Sequence, residues 1–308
     1  MKRLILLFLI FIVLAVGGGA WFFTSLMPPD SDKTLKRFVV NQGETANQIG
    51  VELAKEHIIK SALAFRVYSQ VTQTARNIKP GSYELSSNLW QLQIINKLLA
   101  GPIEVWVTIP EGFRREEITS KFVDSFELTG KQADDFRSQF LNLTSNKEGY
   151  LFPDTYLLPK DATPIEIVKL MEATFNKKVN FRVDNNTIIL ASILERETKT
   201  DDERPIVAGI LLKRINAGWP IQADSTIQYA IGNWNQITAS DLSLNSPYNT
   251  YTNTGLPPTA ICNPGVASIK AAANPITSPY WYYLHDKDGQ IHYATTLDEQ
   301  NANIAKYL

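Results

Sequence analysis

Residues 187–205 read TIILASILERETKTDDERP, a short apolar run that ends in two glutamates, Glu195 and Glu197, and then an acidic turn closed by Pro205. Ile188, Ile189, Leu190, Ile193 and Leu194 make a helix too apolar to lie on a surface, so the stretch predicts the inside of a folded domain. On a 3.6-residue period Glu197 lies one turn beyond Ile193 and Leu194 and continues their stripe, whereas Glu195 points toward Ala191 and Lys199. A carboxyl at the end of an apolar stripe is desolvated, which favours its neutral form and suits it to give up a proton as a general acid. Helix chemistry alone also accounts for both residues. Glu195 and Lys199 have the i,i+4 spacing of an ion pair, and Glu197 can cap or pair elsewhere.

Around this helix the composition is that of a globular protein. The 308 residues are 44% hydrophobic and 20% charged with a net charge of -1, enough for one or two domains with a sizeable core. That balance lacks the basic field of a nucleic-acid binder. Cys262 is the only cysteine, so no internal disulfide and no cysteine metal cluster can form; it reads as a small buried apolar residue. His57, His285 and His292 lack HExxH-type spacing, and no metal site or cofactor is expected. His285 and His292 flank Asp288-Gly289, a hairpin signal that predicts cross-strand neighbours. No GxSxG elbow and no phosphate-binding glycine string occurs.

Upstream, Leu4 to Phe23 carries no charge and is long enough to cross a bilayer as one helix. Lys2 and Arg3 before it predict a cytoplasmic N-terminus and place everything after Phe23 on the far side. A cleaved signal is the rival reading. The run exceeds an ordinary signal h-region of roughly 7–15 residues and has no clean A-x-A site, which predicts a retained anchor. Residues 24–36, with MPPDSD at 27–32, read as a linker. Residues 37–109 then predict a small unit: a strand at Phe38–Val40, two short helices opened by Thr45 and Ser61, a strand at Tyr83, a helix at 89–99 and a period-two strand at Val105–Ile109.

From Pro110 to Leu308 the pattern is mixed α and β. EGYLFPDTY at 148–156 is dense in rings and carboxylates with little periodicity, and such a loop either folds back as structure or lines a carbohydrate site. Pro205 opens an amphipathic helix that Gly218 ends. In IQADSTIQYAIG at 221–232, Ser225 and Gln228 have capping-box spacing. The turn-rich run from Ser246 to Gly265 is too long for an idle connector, and 280–294 predicts a hairpin before a last helix at 297–308. The fold class predicted is α+β: one N-terminal transmembrane helix, a small subdomain and a larger mixed α+β domain.

Taken in order, EGYLFPDTY, LASILERET at 190–198, DDER at 201–204, IQADSTIQYAIG, YNTYTNTGLPP at 248–258 and NPG at 263–265 resemble the YceG-like (MltG) family of membrane-anchored endolytic murein transglycosylases. The resemblance spans essentially the whole chain, and the unit at 37–109, opened by VVNQGETANQIG, resembles a LysM module. The family implies cleavage of the β-1,4 bond between N-acetylmuramic acid and N-acetylglucosamine, with one glutamate as acid and base and a 1,6-anhydro sugar as product. It therefore implies an extracytoplasmic catalytic domain, glycan strands as substrate and membrane-bound peptidoglycan synthases as partners. The family's catalytic glutamate maps onto Glu197, with Glu195 as the alternative. By the same resemblance Glu148, Tyr150, Gln222, Asp224, Tyr248, Asn249, Thr250 and Tyr251 are substrate contacts, with Asn249 suited to an N-acetyl carbonyl. Two other functions stay open: a tethered glycan-binding scaffold, and a hydrolase using water with Glu148, Asp154 or Asp224 as second carboxylate.

Overall fold

An apolar helix begins the chain: α1 (Lys2–Ser25), whose stretch Phe8–Ser25 has a mean hydropathy of 2.0 and is long and apolar enough to cross a membrane. The computed structural model describes residues 2–308, with side chains from Phe8 onward. Met1 of the tail expected at 1–3 lies outside the described residues, as do the side chains of Lys2 and Arg3. About half the chain (49%) is helix and 10% strand, a mixed α+β protein.

Two compact units follow from the chain's internal contacts, one of residues 1–107 with 156–161 and one of 108–155 with 162–308. In the first, β1 (Lys36–Val40), α2 (Ala46–Lys55), α3 (Ala62–Val71) and β2 (Gly81–Leu85) come in that order, with β1 and β2 antiparallel and Phe38 opposite Tyr83. α4 (Gln91–Ala100) and β3 (Glu104–Thr108) complete it. Thr45 starts α2 by accepting from the Gln48 amide at 3.3 Å while Gln48 Oε1 accepts from the Thr45 amide at 2.8 Å, a reciprocal cap. Ser61 caps α3 one-sidedly, accepting from the Ala64 amide. Phe38, Leu53, Phe65, Leu85, Ile94 and Leu98 form a core that excludes water almost completely.

The second unit carries α5 (Arg115–Ser125) and α6 (Gly130–Leu143). Next in the chain comes β4 (Thr155–Pro159), which from Tyr156 onward belongs to the first unit as the last strand of its sheet, ordered β1-β2-β3-β4. EGYLFPDTY thus runs directly into a strand, with Leu151, Phe152 and Tyr156 buried as packing residues. α7 (Pro164–Lys178), α8 (Asn185–Glu197), α9 (Arg204–Asn216), α10 (Asp224–Ile231) and α11 (Val266–Ala273) follow. The hairpin of β5 (Tyr282–His285) and β6 (Ile291–Ala294) leads to α12 (Leu297–Tyr307). Its register sets His285 against Ile291 and Leu284 against His292, so the two histidines are diagonal rather than opposed. Asp184 caps α8 by accepting from the Thr187 amide at 2.8 Å. From Ile188 to Leu194 every residue of α8 is buried, because α9, α10 and α11 pack around it. That burial makes α8 the axis of the unit.

Candidate active site at the end of the glutamate helix

The two glutamates leave α8 in different directions and meet different chemistry. Glu195 accepts from the Gly265 amide at 2.9 Å and faces the guanidinium of Arg204 at 3.6 Å. Its side chain is only 7% exposed, so it takes an interior ion pair with α9 rather than the surface pair with Lys199 that its spacing suggested. Arg204 is held in turn by Asp201 and by Ser268 Oγ at 3.0 Å. Glu195 thus faces the frame around α8, with the Gly265 amide and Arg204 as its partners.

Glu197 is the last residue of α8 and its carboxyl stands in the wall of a pocket of about 460 Å³. Ser225 Oγ donates to Oε1 at 2.7 Å and the Tyr283 hydroxyl donates to Oε2 at 3.2 Å. Removal from water raises its proton affinity above that of an ordinary glutamate; the Ser225 bond opposes this, and the nearby Asp224 carboxylate adds to it. Burial also holds the Tyr283 phenol well above its usual pKa, so it stays a donor. Opposite, Tyr251 donates to Asp224 Oδ1 at 2.5 Å. Arg214, Tyr282, His285 and, from α12, Gln300 complete the walls. Gln222 stands at the rim with a left-handed backbone (φ 57°), held there by the Thr250 carbonyl at 3.0 Å. Such a conformation costs a non-glycine residue about 1 kcal/mol and persists only where the surroundings impose it.

Of the residues singled out in the sequence, Glu197, Gln222, Asp224 and Tyr251 are brought together at this pocket. Thr250 and Asn249 sit behind it as scaffolding. Thr250 Oγ1 accepts from the Ala223 amide at 3.1 Å, and Asn249 is fully buried with its amide spent on the carbonyls of Leu242 and Leu244 and on the Tyr251 amide. Glu148, Tyr150 and Tyr248 do not line it. Glu148 lies buried against the α5 N-terminus, taking hydrogen bonds from the Arg115 amide and from Asn263 Nδ2 at 2.7 Å. Burial, then the Glu116 charge, pushes its carboxyl up to about 8. Tyr150 packs at a tilt against Phe175 and donates to Asn185 at 3.1 Å, while Tyr248 packs on Tyr229 and reaches Thr259. The capping box expected of Ser225 and Gln228 is absent, because Ser225 turns its hydroxyl to Glu197 and Gln228 reaches past the helix to the Asn235 carbonyl.

Arg214, Tyr283 and Gln300 escaped the sequence reading. Arg214 passes for the polar edge of an amphipathic helix, and Tyr283 for one aromatic among several in a hairpin. Only the contact between α9, the hairpin and α8 gives them a role. His285 pairs with the buried Glu203 at 3.2 Å, and His292 with Asp286 at 2.8 Å.

The YceG-like family model matches residues 38–306. An endolytic murein transglycosylase of Bacillus subtilis is 30% identical, the alignment covering 96% of this chain and 91% of that protein. The protein of that name from Streptococcus pneumoniae R6 is 26% identical over all of this chain, which spans 65% of its length. The crystal structure of a YceG-like protein from Listeria monocytogenes superposes with a TM-score of 0.55 at 28% identity, covering 88% of this chain and 99% of that one. With a family match over most of its length, this chain belongs to the YceG-like family.

Proposed function

We propose that this chain is a membrane-anchored endolytic murein transglycosylase that cuts peptidoglycan glycan strands without water, using Glu197 as its one acid and base. The observation that carries this reading is a carboxyl of raised proton affinity in a pocket wall, both oxygens held by hydroxyl donors. Glu197 gives its proton to the bridging oxygen between N-acetylmuramic acid C1 and N-acetylglucosamine C4 as the C1–O bond breaks. The resulting carboxylate, steadied by Ser225 and Tyr283, takes the proton of the muramic C6 hydroxyl as that oxygen bonds to C1. The proton returns to Glu197 and the product end is a 1,6-anhydro sugar. Gln222 and Tyr251 are the rim contacts for the strand, and Asn249 and Thr250 hold that rim in place.

On this reading α1 is a retained anchor, with the catalytic unit on the outer side of the membrane and the newest glycan within its reach. Membrane-bound peptidoglycan synthases are the partners such a placement favours, and termination of nascent strands is the role it suits. The β1–α2–α3–β2 order supports reading 37–109 as a LysM-like glycan-binding subdomain ahead of a catalytic domain at 110–308.

Asp224 in the same pocket favours one second reading, a muramidase in which it activates water. Product analysis separates the two. The detergent-solubilised full chain and its Glu197→Gln form are incubated with isolated peptidoglycan and the released ends identified by mass spectrometry. Anhydro-muramic ends from the parent, reduced at least about 100-fold in Glu197→Gln, are expected. Reducing ends carrying labelled oxygen from the solvent would establish the hydrolase, and undiminished cutting by Glu197→Gln would remove Glu197 from the reaction.

A further inference from the structure

Two arginines of α9 are buried almost equally, Arg204 at 9% exposed and Arg214 at 7%, but they are not treated alike. Arg204 has Glu195 and Asp201 as counter-charges. Arg214 donates through Nε to the Trp281 carbonyl at 2.8 Å and through Nη1 to the Ile221 carbonyl at 2.6 Å, both neutral acceptors. Among the described residues no carboxylate stands within ion-pair distance of it. Its guanidinium lies beside the Tyr282 ring, 5.4 Å from the centroid, and lines the pocket that holds Glu197. The negative end of α9 offsets only part of the charge. A buried cation without an ion-pair partner is costly, and Glu197 in the same pocket acts on it only beyond ion-pair distance. The protein nevertheless fixes this guanidinium in place with two carbonyls, so it is preorganised in a site open to ligand.

We propose that Arg214 is an anion-recognition subsite that takes a carboxylate carried by the muramic residue of the strand. Two sources share that chemistry, the lactyl carboxyl of a peptide-free muramic acid and the carboxylates of a stem peptide. The guanidinium fork suits either, whereas a glycan built only of N-acetylglucosamine offers it nothing. Arg214 thereby sets the strand's register, placing a muramic unit rather than a glucosamine unit beside Glu197. The proposal relies on the reading of Glu197 only for the location of the substrate.

The test uses the full chain carrying Glu197→Gln in detergent, with binding measured to three strand preparations: stem peptides intact, stem peptides enzymatically removed, and all carboxyls amidated. Amidation is expected to weaken binding at least about tenfold, and Arg214→Gln to erase that difference while leaving the affinity for amidated strands unchanged. Retention of the preference on peptide-free strands assigns the lactyl carboxyl, and its loss there assigns the stem peptide. Equal affinity for charged and amidated strands, or an equal loss on both in Arg214→Gln, overturns the proposal. Should Arg214→Gln not fold, Arg214→Lys decides. It keeps the charge without the fork, so a reduced preference supports the subsite and an unchanged one rejects it. New strand ends in the Glu197→Gln samples would count against Glu197 as acid and leave the Arg214 result standing.

Discussion

The proton affinity of Glu197 is set by a competition that single substitutions can tilt in either direction. Burial raises its proton affinity, the Ser225 hydroxyl lowers it by bonding the charged form, and the Asp224 carboxylate raises it again. On the proposed mechanism Glu197 is the acid, so activity is lost as pH rises through its pKa. Ser225→Ala, removing a bond to the carboxylate, is expected to move that alkaline limb to higher pH; Asp224→Asn, removing a negative neighbour, to lower pH. The pH dependence of anhydro-end formation checks both, and two shifts of the same sign would refute the account. The desolvation of Glu197 could be read from the sequence because its apolar stripe survives folding. Ser225 could not, since a serine three residues before a glutamine is an ordinary cap until another helix end comes within 2.7 Å.

Among elements, α8 is held by loops that close on it through one buried asparagine. Asn263 accepts from the amides of Gly149 and Leu151, both at 2.9 Å, and donates to the Phe113 carbonyl and to Glu148. Three loops far apart in sequence are joined by that single side chain. Gly149 fits there because its φ is +90° and because a Cβ would come within 2.6 Å of Ile188 Cγ2 and 2.7 Å of Ala260 Cβ. Gly149→Ala is therefore expected to cost about 1–3 kcal/mol by overpacking, read as a lowered thermal midpoint or denaturant midpoint. A midpoint equal to the parent's would mean the loop is not pressed on α8. The EGYLFPDTY loop reads from its composition as either a packed turn or a sugar-binding wall, and its contacts with Asn263 make it part of this clamp. Composition could not tell the two apart, because both uses need rings and carboxylates and only the partner Asn263, more than a hundred residues away, selects one.

Over the whole molecule, Glu148 links stability to pH. Its folded pKa of about 8 lies above the ordinary 4.5 that it regains on unfolding, so between those values the folded state binds the extra proton. Stability is accordingly fully present below about 4.5, falls as pH rises toward about 8, and stays lowered above that. Glu148→Gln should flatten the fall in thermal midpoint between pH 5 and 8, by an amount of the order of a few kcal/mol; an unchanged slope would show that other groups set it. The apolar N-terminal helix, the strand, helix, helix, strand order of the first unit, the terminal hairpin and the buried glutamate helix were all legible in the chain, because each is written in local periodicity and turn chemistry. The different partners of Glu195 and Glu197, the release of Ser225 from its cap, the lack of an ion pair at Arg214 and the burial of Asn249 behind the pocket were decided by tertiary structure alone. Each depends on which distant group arrives within hydrogen-bond reach, and local sequence carries no record of that distance.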